Sequence, residues 1–251
     1  MSSITDSDTL DREDAQRVST RTAGRGRAVA VALGLTVAAF VTSLATGIVF
    51  AIPVFLAGLD VQSPLVFIGL LLAGQLGLFA VGAVYVWRTG LRVPVAVPDA
   101  RQARDILLAT VLALVTAVGL ITVVSALGLA PGSVIEGAVT ADPRLLVALA
   151  VASVLVVAPI EEFLFRGVIQ GRLRGTFGPV AAVAGAALLF GSLHLTNYTG
   201  ALAGVVVGAL LIAVIGSVFG ALYERTGNLA APVLAHGVYN AVLFLGSYAV
   251  A

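Results

Sequence analysis

Seven apolar stretches, each long enough to cross a bilayer, leave this chain very few folds to choose from. A helix needs about 20 largely apolar residues to span the hydrocarbon core. In that core every backbone N–H and C=O must find its partner within the protein, which restricts spanning structures to helices and closed barrels. The stretches lie near Ala28–Leu59, Pro64–Trp87, Asp105–Leu129, Leu145–Phe165, Pro179–Leu195, Ala201–Tyr223 and Leu229–Tyr248. Of 251 residues, 59% are hydrophobic and 11% charged, too few polar groups to cover a water-soluble fold of this size. The expected fold is therefore all-α, a polytopic membrane helix bundle of about seven transmembrane helices embedded in the lipid bilayer. A net charge of +1 gives no electrostatic case for binding nucleic acid. With no Cys, thiolate catalysis and Cys-ligated metals are excluded.

Residues 1–27 are polar and mixed in charge and read as a disordered cytoplasmic tail. With the N-terminus inside, all Arg residues except Arg144 fall on cytoplasmic segments, while the outer connections carry Asp60, Glu136 and Asp142. This one-sidedness is what the positive-inside rule requires, so the expected location is the cell membrane, multi-pass, with a cytoplasmic N-terminus. Trp87, Tyr223 and Tyr248 sit near helix ends, where interfacial aromatics belong. The chain divides near residue 143 into an N-terminal three-helix region (28–143) and a C-terminal region (144–251) that holds nearly all the intramembrane polar groups.

An ionisable side chain within a bilayer costs about 2.5–3.5 kcal/mol on insertion scales and defaults to a functional role. Here such groups are Glu161, Glu162, His194 and His236, with Asn240 as a polar companion, and both His of the chain are among them. Glu162 and Arg166 are four apart, so one helical face carries an ion pair. Glu161 points about 100° away and is the free carboxylate. Phe190 shares the face of His194 and shapes the site. His236 and Asn240 are also four apart and share a face, and Gly237 lets another helix come close.

These groups suit hydrolysis. A carboxylate and an imidazole bind or activate a water. A second His with Asn either ligates a metal or donates to a developing oxyanion. Two His and one Glu (Glu161, His194, His236) would hold a catalytic zinc ion with one position open to water. Without a metal, Glu161 and His194 act as the general-base pair. The soluble zinc-protease signature HExxH and the serine-hydrolase signature GxSxG are both absent.

The ordered set EExxxR (Glu161, Glu162, Arg166), FxxxH (Phe190, His194) and HxxxN (His236, Asn240), one motif on each of three expected membrane helices, resembles the CPBP family. These are the CAAX protease and bacteriocin-processing intramembrane proteases, also called Abi. The resemblance covers about residues 145–245. It implies an intramembrane endopeptidase acting on prenylated CAAX-type or bacteriocin-like peptides. In it Glu161 and His194 would activate water, His236 and Asn240 would form the oxyanion hole or complete a metal site, and Glu162 and Arg166 would support the first carboxylate. The site is expected to be sunk in the membrane and open toward the cytoplasm.

Straight helices over the stretches given would leave Glu161 and His194 at different depths. An irregular fourth helix that continues past Glu161 toward the cytoplasm resolves this. From other functional classes, a proton-coupled transporter with a Glu/His relay or a catalytically silent immunity or scaffold protein would use the same residues differently.

Overall fold

The computed structural model describes residues 4–60 and 63–251, with side chains from residue 24 onward. The disordered tail expected over residues 1–27 falls mainly on positions outside those described with side chains, and the first membrane span begins at Gly24. The fold is the expected polytopic all-α bundle. Seven helices are long and apolar enough to cross a membrane: Gly24–Leu56, Pro64–Thr89, Ala100–Ala126, Arg144–Arg174, Pro179–Asn197, Leu202–Thr226 and Ala230–Tyr248. They are called the first to seventh spans below.

The spans alternate in direction, which gives the bundle two distinct ends. At one end the 90–99 loop meets the turn between the sixth and seventh spans: Leu229 N–H donates to the carbonyl of Pro94, and the Asn228 amide bonds Ala96 and Gln102. Arg225 pairs with Asp105 at 2.8 Å and Arg174 with Glu224 at 2.9 Å at the same end. Gly227 closes the sixth span in the left-handed region, at φ 60°, which a residue with a Cβ rarely adopts. At the other end two short strands, β1 (Gly132–Ser133) and β2 (Tyr198–Thr199), pair antiparallel with Gly132 opposite Thr199. They tie the connection after the third span to that after the fifth. Leu65, Phe55 and Val180, all at least 80% exposed, belong to the outward faces that lipid would cover.

Small residues set the closest helix contacts, as expected in lipid. A Cβ on Gly77 would lie 2.6 Å from the backbone of Thr42 and Ser43, so the first two spans touch there almost backbone to backbone. Thr42 Oγ1 donates to the Gly77 carbonyl across that contact at 3.0 Å. Gly237 brings the seventh span onto Val154 of the fourth, where an added Cβ would meet the Val154 Cα at 3.2 Å.

The fourth span outruns the apolar stretch near Leu145–Phe165 and has the irregular continuation past Glu161 that the sequence leads one to expect. It does not stop near Phe165 but runs unbroken to Arg174. It contains two π-helical stretches, Ser153–Val157 and Phe163–Gln170, on either side of Ala158–Glu162. Pro159 supplies the local cause of irregularity, because it has no N–H to return to the preceding turn. Within the first stretch Ala158 N–H reaches back five residues to Ser153, and Gly171 does the same to Arg166 at the end of the second. The extension places Glu161 mid-helix, 13 residues from Arg174, or about 20 Å. His194 lies 15 residues along from Pro179, about 22 Å. The two residues are therefore at matching depth, and the irregular, extended helix expected from the sequence is what aligns them.

Replacing Gly77 by Val forces the Thr42–Ser43 backbone away. The expected result is a loss of about 1–3 kcal/mol, read as a lower thermal unfolding midpoint of the detergent-purified protein, whereas Gly34→Ala, where nothing lies within 4 Å of the added carbon, leaves the midpoint close to wild type.

Candidate functional site

The deepest polar feature is a chain of side chains from the fourth and seventh spans. Glu162 is fully buried and holds two partners: Arg166 Nε at 2.9 Å through one oxygen, and His236 Nδ1 at 2.9 Å through the other. The i, i+4 geometry expected from the sequence is thus present. Arg166, however, does not stand at a cytoplasmic helix end. It is fully buried at the centre of the bundle, because the fourth span continues two further turns beyond it. Its guanidinium lies over the Phe190 ring, 5.1 Å from the centroid, and Gly216 leaves the space, since a Cβ there would meet Phe190 at 2.9 Å and Arg166 Nη2 at 3.2 Å.

His236 is fixed on every side. Phe219 stacks on its ring at 5.0 Å and 17°, and Phe190 meets it edge-on at 90°. With Glu162 accepting from Nδ1–H, the lone pair is on Nε2, where the Asn240 amide nitrogen approaches to 3.1 Å and donates. Asn240 itself lines the adjoining cavity.

Glu161 lies beside this chain without joining it. One of its oxygens is 4.0 Å from His236 Nε2, and the other accepts from Gln75 Nε2 at 3.1 Å. His194 opens a 3₁₀ turn, His194–Asn197, at the end of the fifth span. Its Nδ1 donates to the Phe190 carbonyl at 2.8 Å, which leaves Nε2 as a base. Phe190 packs against the His194 ring at 4.6 Å.

Two cavities meet at Glu161 and His194. One, of about 510 Å³, runs between the first and second spans and the 3₁₀ turn, lined by Ser43, Gly74 and Thr196 among others. The other, of about 380 Å³, lies under β1 and adds His236, Asn240 and Ser153 to its walls. Glu161, His194, His236 and Asn240 therefore face a common space, while Glu162 and Arg166 lie behind it and bond what faces it.

Gln75 was not among the residues expected from the sequence. The first three spans read as nearly free of buried polar groups, yet Gln75 is buried, bonds Glu161, and leaves its own carbonyl oxygen without a partner in the protein. The available signal was its isolation: it is the lone carboxamide in the apolar run from Pro64 to Trp87. Phe219 was also missed, since a Phe in a long apolar helix carries no local mark of stacking on a His.

The residues expected as zinc ligands do not form a ready metal site as they stand. Among the described residues, no group of three His, Asp or Glu side chains is arranged to hold a metal ion. The Nε2 of His236 already receives the Asn240 amide, and coordination would require that amide to turn away.

Comparison with known proteins agrees with this geometry in one respect. Residues 143–242 match the family model described as type II CAAX prenyl endopeptidase Rce1-like, part of the CPBP family. The match contains all three motifs and omits the span that supplies Gln75. No curated protein and no solved structure gives a significant match.

Exchanging Glu162 for Gln leaves the Arg166 charge buried without its counterion. The expected cost is about 3–5 kcal/mol, seen as a large drop in unfolding midpoint. Glu161→Gln, beside a cavity and bonded only to the Gln75 amide, keeps a near-normal midpoint; equal drops for the two variants would show that the chain through Glu162 has no special structural weight.

Proposed function

We propose that this chain, whose residues 143–242 match the Rce1-like CAAX prenyl endopeptidase family model, hydrolyses a peptide bond of a membrane-associated substrate with a water activated by Glu161 and His194. The family supports a CAAX-type intramembrane endopeptidase in general. The observation that carries the finer reading is the division of labour between two adjacent carboxylates. Glu162 is saturated by Arg166 and His236, whereas Glu161 stands at the junction of the cavities with His194.

A water between Glu161 and the Nε2 of His194 loses a proton to this pair as its oxygen attacks the scissile carbonyl carbon. Negative charge develops on the carbonyl oxygen. The unused N–H of Asn240 donates to it, with the amide held in place by His236. When the C–N bond breaks, the proton held by the Glu161–His194 pair passes to the leaving nitrogen. Glu162 and Arg166 touch no reacting atom. They set the ring orientation and tautomer of His236, as carboxylate partners of imidazoles do. Gln75 orients Glu161 in the same indirect way. Prenylated CAAX-type and bacteriocin-like peptides are the substrate classes the family brings forward.

The test is cleavage of a membrane-peptide library by purified protein, with bound metal measured on the same samples. Glu161→Gln and His194→Ala are each expected to lower the rate by about 10²–10⁴-fold and Asn240→Ala by about 10²–10³-fold, at near-normal unfolding midpoints. Cleavage that survives Glu161→Gln removes this proposal. About one zinc ion per chain, lost together with activity on chelation, would replace the general-base pair with the metal alternative on Glu161, His194 and His236.

Gln75→Ala is expected to reduce kcat more than it changes KM, and Gln75→Asn to recover little because the shorter amide falls short of Glu161. An unchanged kcat in Gln75→Ala would leave this residue as packing alone.

A further inference from the structure

Both cavities that reach Glu161 and His194 extend from the middle of the bundle toward the end that carries β1 and β2. Their walls come from the second halves of the first and fifth spans, the second and fourth from near their starts to just past their middles, β1, and the middles of the sixth and seventh, with Phe219 and His236 the lining residues on those two spans that reach furthest toward the opposite end. Thr196 and Asn197, both exposed, stand at the margin together with Ser133 and Val134. No lining residue comes from the 90–99 loop, the 172–179 turn or the 224–230 turn. On that side the floor is closed by Glu162, Arg166 and Gln170, all fully buried, with Leu164, Phe165 and Ile169 packed around them at 0% exposure. Gln170 then bonds the Gly220 carbonyl and Glu224, which continues the seal to the protein surface.

The charges of the two ends differ sharply. Arg88, Arg92, Arg101, Arg104, Arg172 and Arg174 cluster at the sealed end, together with Arg225. Among the described residues, the end toward which the cavities run has Arg144 alone, and that residue is bonded to Asp142 at 3.0 Å. Clusters of Arg next to membrane spans remain on the cytoplasmic side. The expectation that the site opens toward the cytoplasm therefore conflicts with the orientation that the same sequence gives.

We infer that the site is entered from the non-cytoplasmic side of the membrane, and that its substrates are peptide segments presented at that face, such as exported peptides or the exported flank of a membrane span. This rests on the peptidase reading above and narrows its substrate class. A prenylated C-terminus held in the cytoplasm would meet the sealed floor, with the buried Glu162–Arg166 pair between it and Glu161.

The absence of Cys makes the test direct, since each introduced thiol is the sole one in the chain. Full-length Glu136→Cys, Arg92→Cys, His194→Cys and Thr196→Cys proteins are treated in intact cells with a membrane-impermeant maleimide, then again after lysis. The expected result is labelling of Glu136→Cys, Thr196→Cys and His194→Cys from outside, the last more slowly, and of Arg92→Cys only after lysis. Thr196→Cys serves if His194→Cys does not fold. Labelling of Arg92→Cys but not Glu136→Cys in intact cells, or of the two cavity positions only after lysis, overturns the inference. A peptide library tethered on either side of a single membrane span completes the test, with cleavage expected only for the non-cytoplasmic arrangement; cleavage only of the cytoplasmic one overturns the inference. Loss of cleavage in both arrangements counts against the peptidase reading, while the labelling still decides the side from which the cavity is entered.

Discussion

Glu162 is the group on which the rest of the site depends. A lone carboxylate with no access to water is very costly, and removing one partner of a buried pair is far worse than never having had the pair. Glu162 meets this constraint with Arg166 on its own helix and His236 on the seventh span. The pair thereby fixes more than charge. It locks the depth of the fourth span against the seventh, selects the His236 tautomer, and through that ring holds Asn240. Phe190, Phe219 and Gly216 complete the setting by filling or vacating the space around the guanidinium and the imidazole.

The adjacent Glu161 differs from Glu162 in everything but sequence position. A rotation of about 100° around the helix takes it from the sealed core to the cavity wall. Two neighbouring carboxylates are thus separated into a sealed anion bonded on both oxygens and one that lines the cavities, without any difference in residue type. The same division applies to the two imidazoles, with His236 bonded at both nitrogens and His194 at one. Glu161 and His194 line both cavities, His236 lines one of them, and Glu162 is sealed behind all three.

Much of this was legible before any coordinates. The apolar stretches gave the span count, because the bilayer imposes a minimum length that does not depend on tertiary packing. The i, i+4 spacings of Glu162 with Arg166 and of His236 with Asn240 gave local faces that the helices preserve. Arg166 was counted with the cytoplasmic segments, because a charged residue usually marks the edge of a span; a continuation past Glu161 was expected, but nothing local revealed that it would bury the guanidinium completely. Gln75 was overlooked because a single amide in an apolar helix becomes meaningful only when the carboxylate opposite it is known.

The sequence by itself determined that the chain is a seven-span bundle and which intramembrane polar side chains share a helix face, since both follow from short-range rules: length against bilayer thickness, and residues per turn. Tertiary structure alone decided how deep Glu161 lies, that the second span reaches into the site, and toward which end of the bundle the cavities run. Those depend on where the fourth span is lengthened by π-helical turns around Pro159 and on how closely Gly77, Gly216 and Gly237 let neighbouring helices approach. Such properties are set by contacts between residues far apart in the chain, and no local pattern records them.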